Sequence, residues 1–166
     1  IGRGKGDDNG ITTTDDFGRF RETGLDADKY AFRTPTLLNV NITGPWGHDG
    51  AYTTLEGIVR HHLNPADAVA NYDLDQLDAG VQVDDVLTNT DFALAKLEAD
   101  RTAGTSDLHD VELTDEELQQ LLAFLDTLTD PCVEDRTCLS PWISEEGETD
   151  PDGLRVNAVD QVGTPL

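Results

Sequence analysis

One segment fixes more of this chain than any other. Thr114-Asp115-Glu116-Glu117 is a capping box, a Thr at the helix start with Glu three residues later. Leu118, Leu121, Leu122, Leu125 and Leu128 follow at helical spacing, and Asp130-Pro131 ends the run. The acids of the first turn suit the positive end of the helix dipole. The pattern predicts a helix over about 115–128, apolar on one face only. That face has to be covered by other parts of the same fold.

A second helix is predicted from about Thr54 to Leu63. Thr53-Thr54-Leu55-Glu56 reads as a capping box with Thr53 at the N-cap and Glu56 three residues on, and Pro65 stops the helix. Leu55, Ile58, Val59 and His62 fall at i, i+3, i+4 and i+7, one inward face. A histidine thus sits where the apolar stripe calls for Leu. Taken alone, such a residue is a buried histidine bonded to a carbonyl. Elsewhere the periodicity is weak. Residues 1–28 read as loop, and Ala31–Gly50, with its Pro and Gly, as extended segments and turns. Residues 66–112 are an acidic excursion with a short helix over Asp91–Arg101. The chain from Cys132 onward reads as an irregular tail.

Composition narrows the partners. The 166 residues hold 34 Asp+Glu against 11 Lys+Arg, a formal charge of −23. Nothing in that balance neutralises a run of phosphates, so nucleic acid is excluded as a partner. No stretch approaches the roughly 18 apolar residues of a membrane span. The acids serve first as a solvated surface; adaptation to high salt and calcium binding, for example near Asp7, Asp8 and Asn9, are the other readings. The EF-hand pattern is not met. Cys132 and Cys138 form neither CxxC nor CxxCH, and are read as a disulfide closing a small loop, in an oxidising compartment, with two free thiols as the alternative. The chain lacks Met and begins at Ile1, which is read as a mature or internally cleaved piece.

Two stretches carry a family resemblance. Phe32-Arg33-Thr34-Pro35-Thr36-Leu37-Leu38-Asn39-Val40 is followed by Thr43-Gly44-Pro45-Trp46-Gly47-His48-Asp49-Gly50 and by Thr54-Leu55-Glu56. Together they resemble the signature of bacterial di-haem cytochrome c peroxidases and of their relatives that oxidise tryptophan side chains on partner proteins. The 113–129 segment resembles the last helix of that family. The resemblance covers about half the chain and implies an all-α, cytochrome c-like haem domain, present in part, with long irregular loops and an acidic C-terminal tail. Residues 1–131 would be the back part of that domain, with 66–112 as an acidic insertion, and 132–166 the tail carrying the Cys132–Cys138 disulfide.

The resemblance also implies a cofactor and site residues. The haem c would be attached through a CxxCH outside this chain, on a polypeptide that also carries the first haem domain. The family's distal axial ligand lies fourteen residues after the histidine of the His-Asp-Gly loop; here 48 + 14 is 62, which makes His62 the candidate iron ligand and the haem bis-histidine. His61 is the runner-up, about 100° away around the helix. His48 is the candidate catalytic residue, orienting water, a propionate or a proton path. Arg33 would pair with a propionate, and Phe32, Pro35 and Trp46 would wall the porphyrin. The backbone carbonyls of Thr43 and Pro45 would bind Ca2+ between the domains.

The implied activity is that of a peroxidase-like oxidoreductase of the periplasm or cell exterior. This chain would house the electron-transfer haem. A small cytochrome or cupredoxin would donate electrons, and hydrogen peroxide would be reduced at the other haem. The alternatives are oxidation of a partner's tryptophan, a non-catalytic electron-transfer or structural haem subunit, and a calcium-stabilised module without haem.

Overall fold

The computed structural model describes residues 15–81, 85–143, 159, 160 and 163–165. The carboxylates at Asp7 and Asp8, with Asn9, lie outside the described residues, as does most of the C-terminal tail. The described part is helical: α1 (Phe20–Thr23), α2 (Leu55–Leu63), α3 (Pro65–Ala70), α4 (Val86–Ala103), α5 (Asp115–Asp126) and α6 (Arg136–Leu139). Single 3-10 turns stand between them, and among the described residues only isolated bridges, no strands, are formed. The all-α expectation holds.

The most secure prediction is met at α5. The Thr114 hydroxyl accepts from the Glu117 N–H, and the Glu117 carboxylate accepts from the Thr114 N–H at 2.8 Å. The carboxylate is held below the usual range by those same Thr114 donors. Leu118 and Leu125 are buried, and Leu118 is the most deeply enclosed large side chain among the described residues. The far end of α5 is tied to the turn at 39–41. Asn39 N–H donates to the Leu128 carbonyl at 3.0 Å, Asp130 N–H to Asn39 Oδ1 at 2.7 Å, and Asn41 Nδ2 to Asp126 Oδ1 at 2.6 Å. Asn39 holds φ 61°, a left-handed conformation that Asn tolerates better than most residues.

The start of α2 departs from expectation by one residue. Thr54, not Thr53, is the N-cap; its side chain accepts from Gly57 N–H at 3.1 Å. Glu56 therefore stands at the second helical position and does not reach back. Its carboxylate takes Arg60 one turn on, Nε to Oε1 at 2.8 Å. Thr53 N–H instead donates to Gln76 Oε1. Pro65 does end α2, but it also opens α3, where a missing N–H costs nothing; Asn64 caps that helix by accepting from Asp67 N–H.

Helices take up more of the 66–112 segment than expected. α4 runs eighteen residues from Val86, well beyond the helix expected over 91–101. Its apolar side chains are scattered around the axis, so no 3.6-residue stripe betrayed the first turns; it buries only Val86 and Asn89. Gly104 closes it in a left-handed conformation, with Thr105 N–H reaching back to the Asp100 carbonyl. Arg101 then pins the following segment by bonding the Leu108 carbonyl and the Asp110 carboxylate. After Asp130 the chain forms short helical turns at Pro131–Glu134, Arg136–Leu139 and Ser140–Trp142, where an irregular tail was expected. The Cys132–Cys138 disulfide is formed.

The interior is small. Ala51, Leu55, Val86, Leu118 and Leu125 are the buried apolar residues among those described. Phe32, Leu37, Leu38 and Phe124, all within the stretches that carry the family resemblance, stay exposed.

Candidate haem-ligand helix and the His48 loop

α2 presents two adjacent histidines in opposite settings. His61 is half-buried beneath Tyr52, whose hydroxyl lies 2.9 Å from His61 Nδ1. Tyr52 in turn stacks edge-on against Tyr72 at 5.4 Å between centroids. Tyr72 donates a short hydrogen bond to the Ala51 carbonyl. Burial lowers the His61 pKa, and the neighbouring His62 adds to the effect. Burial likewise pushes the Tyr52 phenol up to about 12.

His62 is exposed, contrary to the inward face expected for it. The inward side of α2 is built from Leu55, Ile58, Val59 and His61, because α3 and the Tyr52–Tyr72 pair pack on that side. One bond defines the His62 ring. Its Nδ1 lies 2.8 Å from the Ile58 carbonyl. A carbonyl only accepts, so the proton is on Nδ1, and in the neutral ring the lone pair is on Nε2. An imidazole with Nδ1–H fixed by a carbonyl and Nε2 free is the form that ligates metals. The structure thus brings His61 into the interior and leaves His62 on the surface.

The loop before α2 is tightly organised. The Gly44–Pro45 peptide is cis, and Trp46 pairs with Tyr52 through two backbone hydrogen bonds of 2.8 and 2.9 Å. The indole Nε1–H donates to the Val40 carbonyl at 2.6 Å. Gly44 is required there, since a Cβ would stand 2.7 Å from the Trp46 ring. Trp46, Pro45 and Gly44 line one wall of an open cleft of about 410 Å³, with Asp49, Gln76 and Asp78 on its other sides.

His48 sits in the 3-10 turn His48–Gly50. Its Nε2 lies 2.7 Å from Asp16 Oδ2, and Phe32 stacks on the ring at 3.8 Å between centroids. Asp16 and the pairing it makes were not anticipated: 32 residues separate the two, and only the fold brings them together. Among the other expected site residues, Phe32, Arg33, Thr43 and Pro45 are exposed, and Pro35 is exposed beyond Phe32. Arg33 makes no ion pair with a described residue. The Thr43 and Pro45 carbonyls accept no hydrogen bond among the described residues. Sequence reasoning also missed Tyr52 and Tyr72, which decide which histidine of the pair is buried.

No protein-family model and no solved structure matches the chain. Two curated proteins do, each over a limited stretch. The chain is 36% identical over 58 residues to the methylamine utilization protein MauG of Methylorubrum extorquens, which covers 34% of this chain and 16% of that protein. It is 48% identical over 42 residues to the cytochrome c551 peroxidase of Nitrosomonas europaea, covering 25% of this chain and 13% of that one. The chain therefore spans well under two thirds of either relative. The relation to di-haem cytochrome c peroxidase-like proteins is partial and holds at the level of the family.

Proposed function

We propose that this chain is part of a di-haem c-type, peroxidase-like oxidoreductase of the periplasm or cell exterior, and that His62 is the distal axial ligand of its electron-transfer haem. The observation that carries the reading is the His62 tautomer: Nδ1–H held by the Ile58 carbonyl, Nε2 carrying its lone pair on an exposed ring. The position agrees, fourteen residues after His48, and both relatives bear on the same family. When bound, the haem supplies one-electron transfer between a donor, such as a small cytochrome or cupredoxin, and a peroxide-reducing centre on another domain.

The chain's own residues fit that group. Exposed Phe32, Leu37, Leu38 and Phe124 offer apolar surface for a porphyrin and its attached domain, and Pro35 extends it. Arg33, exposed and without a described carboxylate partner, serves a propionate. His48 works at the junction with the missing domain, its ring oriented by Asp16 and Phe32. Trp46 contributes packing, since its indole N–H is engaged and its backbone is paired with Tyr52. The Thr43 and Pro45 carbonyls, uncommitted among the described residues, suit a hard cation such as Ca2+. Residues 1–131 form the back part of the haem domain and 132–166 a stapled tail. The haem attachment motif and the first haem domain belong to a partner polypeptide or a preceding part of the protein.

The test is a visible spectrum of the natively purified assembly, with mass spectrometry of each polypeptide. A low-spin, bis-histidine haem together with a CxxCH-bearing chain supports the reading. An assembly with no Soret absorbance sinks it.

A further inference from the structure

We propose that Asp16, His48 and Asp49 form a binding site for a divalent transition-metal ion. One ligand atom from each residue lies within 4.8 Å of the other two. His48 Nε2 is 2.7 Å from Asp16 Oδ2 and 3.5 Å from Asp49 Oδ2. Ligand atoms that share a zinc ion at about 2.0–2.2 Å in a tetrahedral shell stand roughly 3.3–3.6 Å from one another, so the His48–Asp49 spacing already suits it. The ion displaces to solvent the Nε2 proton that His48 now donates to Asp16, and opens that pair by roughly 0.6 Å or more.

The groups around the cluster hold it in this arrangement. The other oxygen of Asp16, Oδ1, accepts from Gly18 N–H at 3.0 Å and lies 3.7 Å from Arg21 Nε. That leaves Oδ2 turned toward His48. Phe32 lies against the imidazole and fixes the plane of the ring. Asp49 adopts φ 58°, a left-handed conformation that Asp tolerates better than most residues, and its carboxylate lies beside His48. Support of ligands by neighbours outside the coordination sphere is what tunes a metal site. Arg21 opposes a cation, and the two carboxylates outweigh it by charge.

One nitrogen and two carboxylates select the ion. Ca2+ and Mg2+ prefer oxygen alone, whereas an imidazole with carboxylates suits zinc or another late divalent ion. Asp49 is exposed, so water has access to complete the coordination shell. The net charge of −23 raises the local concentration of any divalent cation.

The proposal does not rest on His62 holding a haem, and the experiment keeps the two apart. Zinc chloride is titrated calorimetrically into the natively purified, chelator-treated protein, its Asp49→Asn and His48→Gln variants, and a His62→Ala control. Circular dichroism confirms that each variant is folded; Asp49→Asn alters an exposed side chain and is the safer of the two. The expected result is one zinc equivalent that weakens at least tenfold in Asp49→Asn and His48→Gln and persists in His62→Ala. Two results overturn the site: no zinc uptake by the parent protein, or uptake that is unchanged by Asp49→Asn and His48→Gln. Loss of the equivalent in His62→Ala alone also overturns it, because the metal then sits on α2.

Discussion

His62 Nδ1 donates to the carbonyl of Ile58, four residues back on the same helix, at 2.8 Å. The bond satisfies one side of the ring from within α2, so no distant contact is needed to choose the tautomer. His61, the next residue, is treated in the opposite way. Tyr52 engages its Nδ1, Tyr72 packs behind Tyr52, and burial lowers the pKa of the ring. Two neighbouring histidines with identical intrinsic chemistry are thus assigned different tasks by their surroundings, one to packing and one to the surface.

That division predicts a clean contrast between two substitutions. His62→Ala should convert a bis-histidine haem in the native assembly to a high-spin form, seen as a shift of the Soret band and loss of the low-spin electron paramagnetic resonance signal. His61→Ala should leave the low-spin spectrum in place. It should instead lower the melting temperature, because it removes a half-buried ring and strands the Tyr52 hydroxyl. The reverse pattern would make His61 the ligand.

The packing prediction concerns Leu118. It is 2% exposed, in a fold with few buried apolar side chains among those described. A Leu→Ala change at such a site leaves a cavity and costs about 2–5 kcal/mol. With so small an interior, the loss is a large share of the total stability. Chemical denaturation of Leu118→Ala should show a lower midpoint, whereas Leu121→Ala, at a half-buried position of the same helix, should cost less.

What the sequence made readable follows from how local each determinant is. α5 was legible because its cap, its stripe and its stop are all written within 114–131, and the structure realises each. At α2 the element was legible but not its setting. Period alone puts His62 on the stripe with Leu55 and Ile58, yet Tyr52, backed by Tyr72, packs against His61, so the covered face reaches round to that residue and leaves His62 exposed. α4 was half missed, since its side chains carry no stripe; the Gly104 stop was the available signal. The Asp16–His48 pairing was invisible, because no local rule joins residues 32 positions apart.

The two helix caps give a paired prediction. Thr114→Ala removes the hydroxyl half of a reciprocal box, leaving its backbone N–H to Glu117, and should cost about 1 kcal/mol. Thr54→Ala should cost a comparable amount, and Thr53→Ala less, because Thr54 and not Thr53 holds the Gly57 N–H. Thermal melts of the three variants decide the order. A larger loss for Thr53→Ala than for Thr54→Ala would return the cap to the earlier residue.

The last prediction uses all three tyrosines. Desolvation raises each of their pKa values, with Asp15 adding to it at Tyr30, the neighbouring Tyr72 at Tyr52, and Asp73 at Tyr72. A phenol whose folded pKa lies above its unfolded value of 10.0 binds its proton more tightly in the folded state. Its contribution to stability is therefore complete below pH 10 and drains away as the pH climbs, for Tyr52 through about 12. Two measurements follow. Tyrosinate absorbance near 295 nm should be lower in the folded protein at about pH 10.5 than at that pH in denaturant. Melting temperatures should fall over the same alkaline range. Tyr52→Phe should flatten part of that fall, because the residue that lost stability by ionising is gone. If the folded protein titrates with an ordinary midpoint near 10, then Tyr52 is not enclosed against His61, and the argument that separates His61 from His62 fails with it.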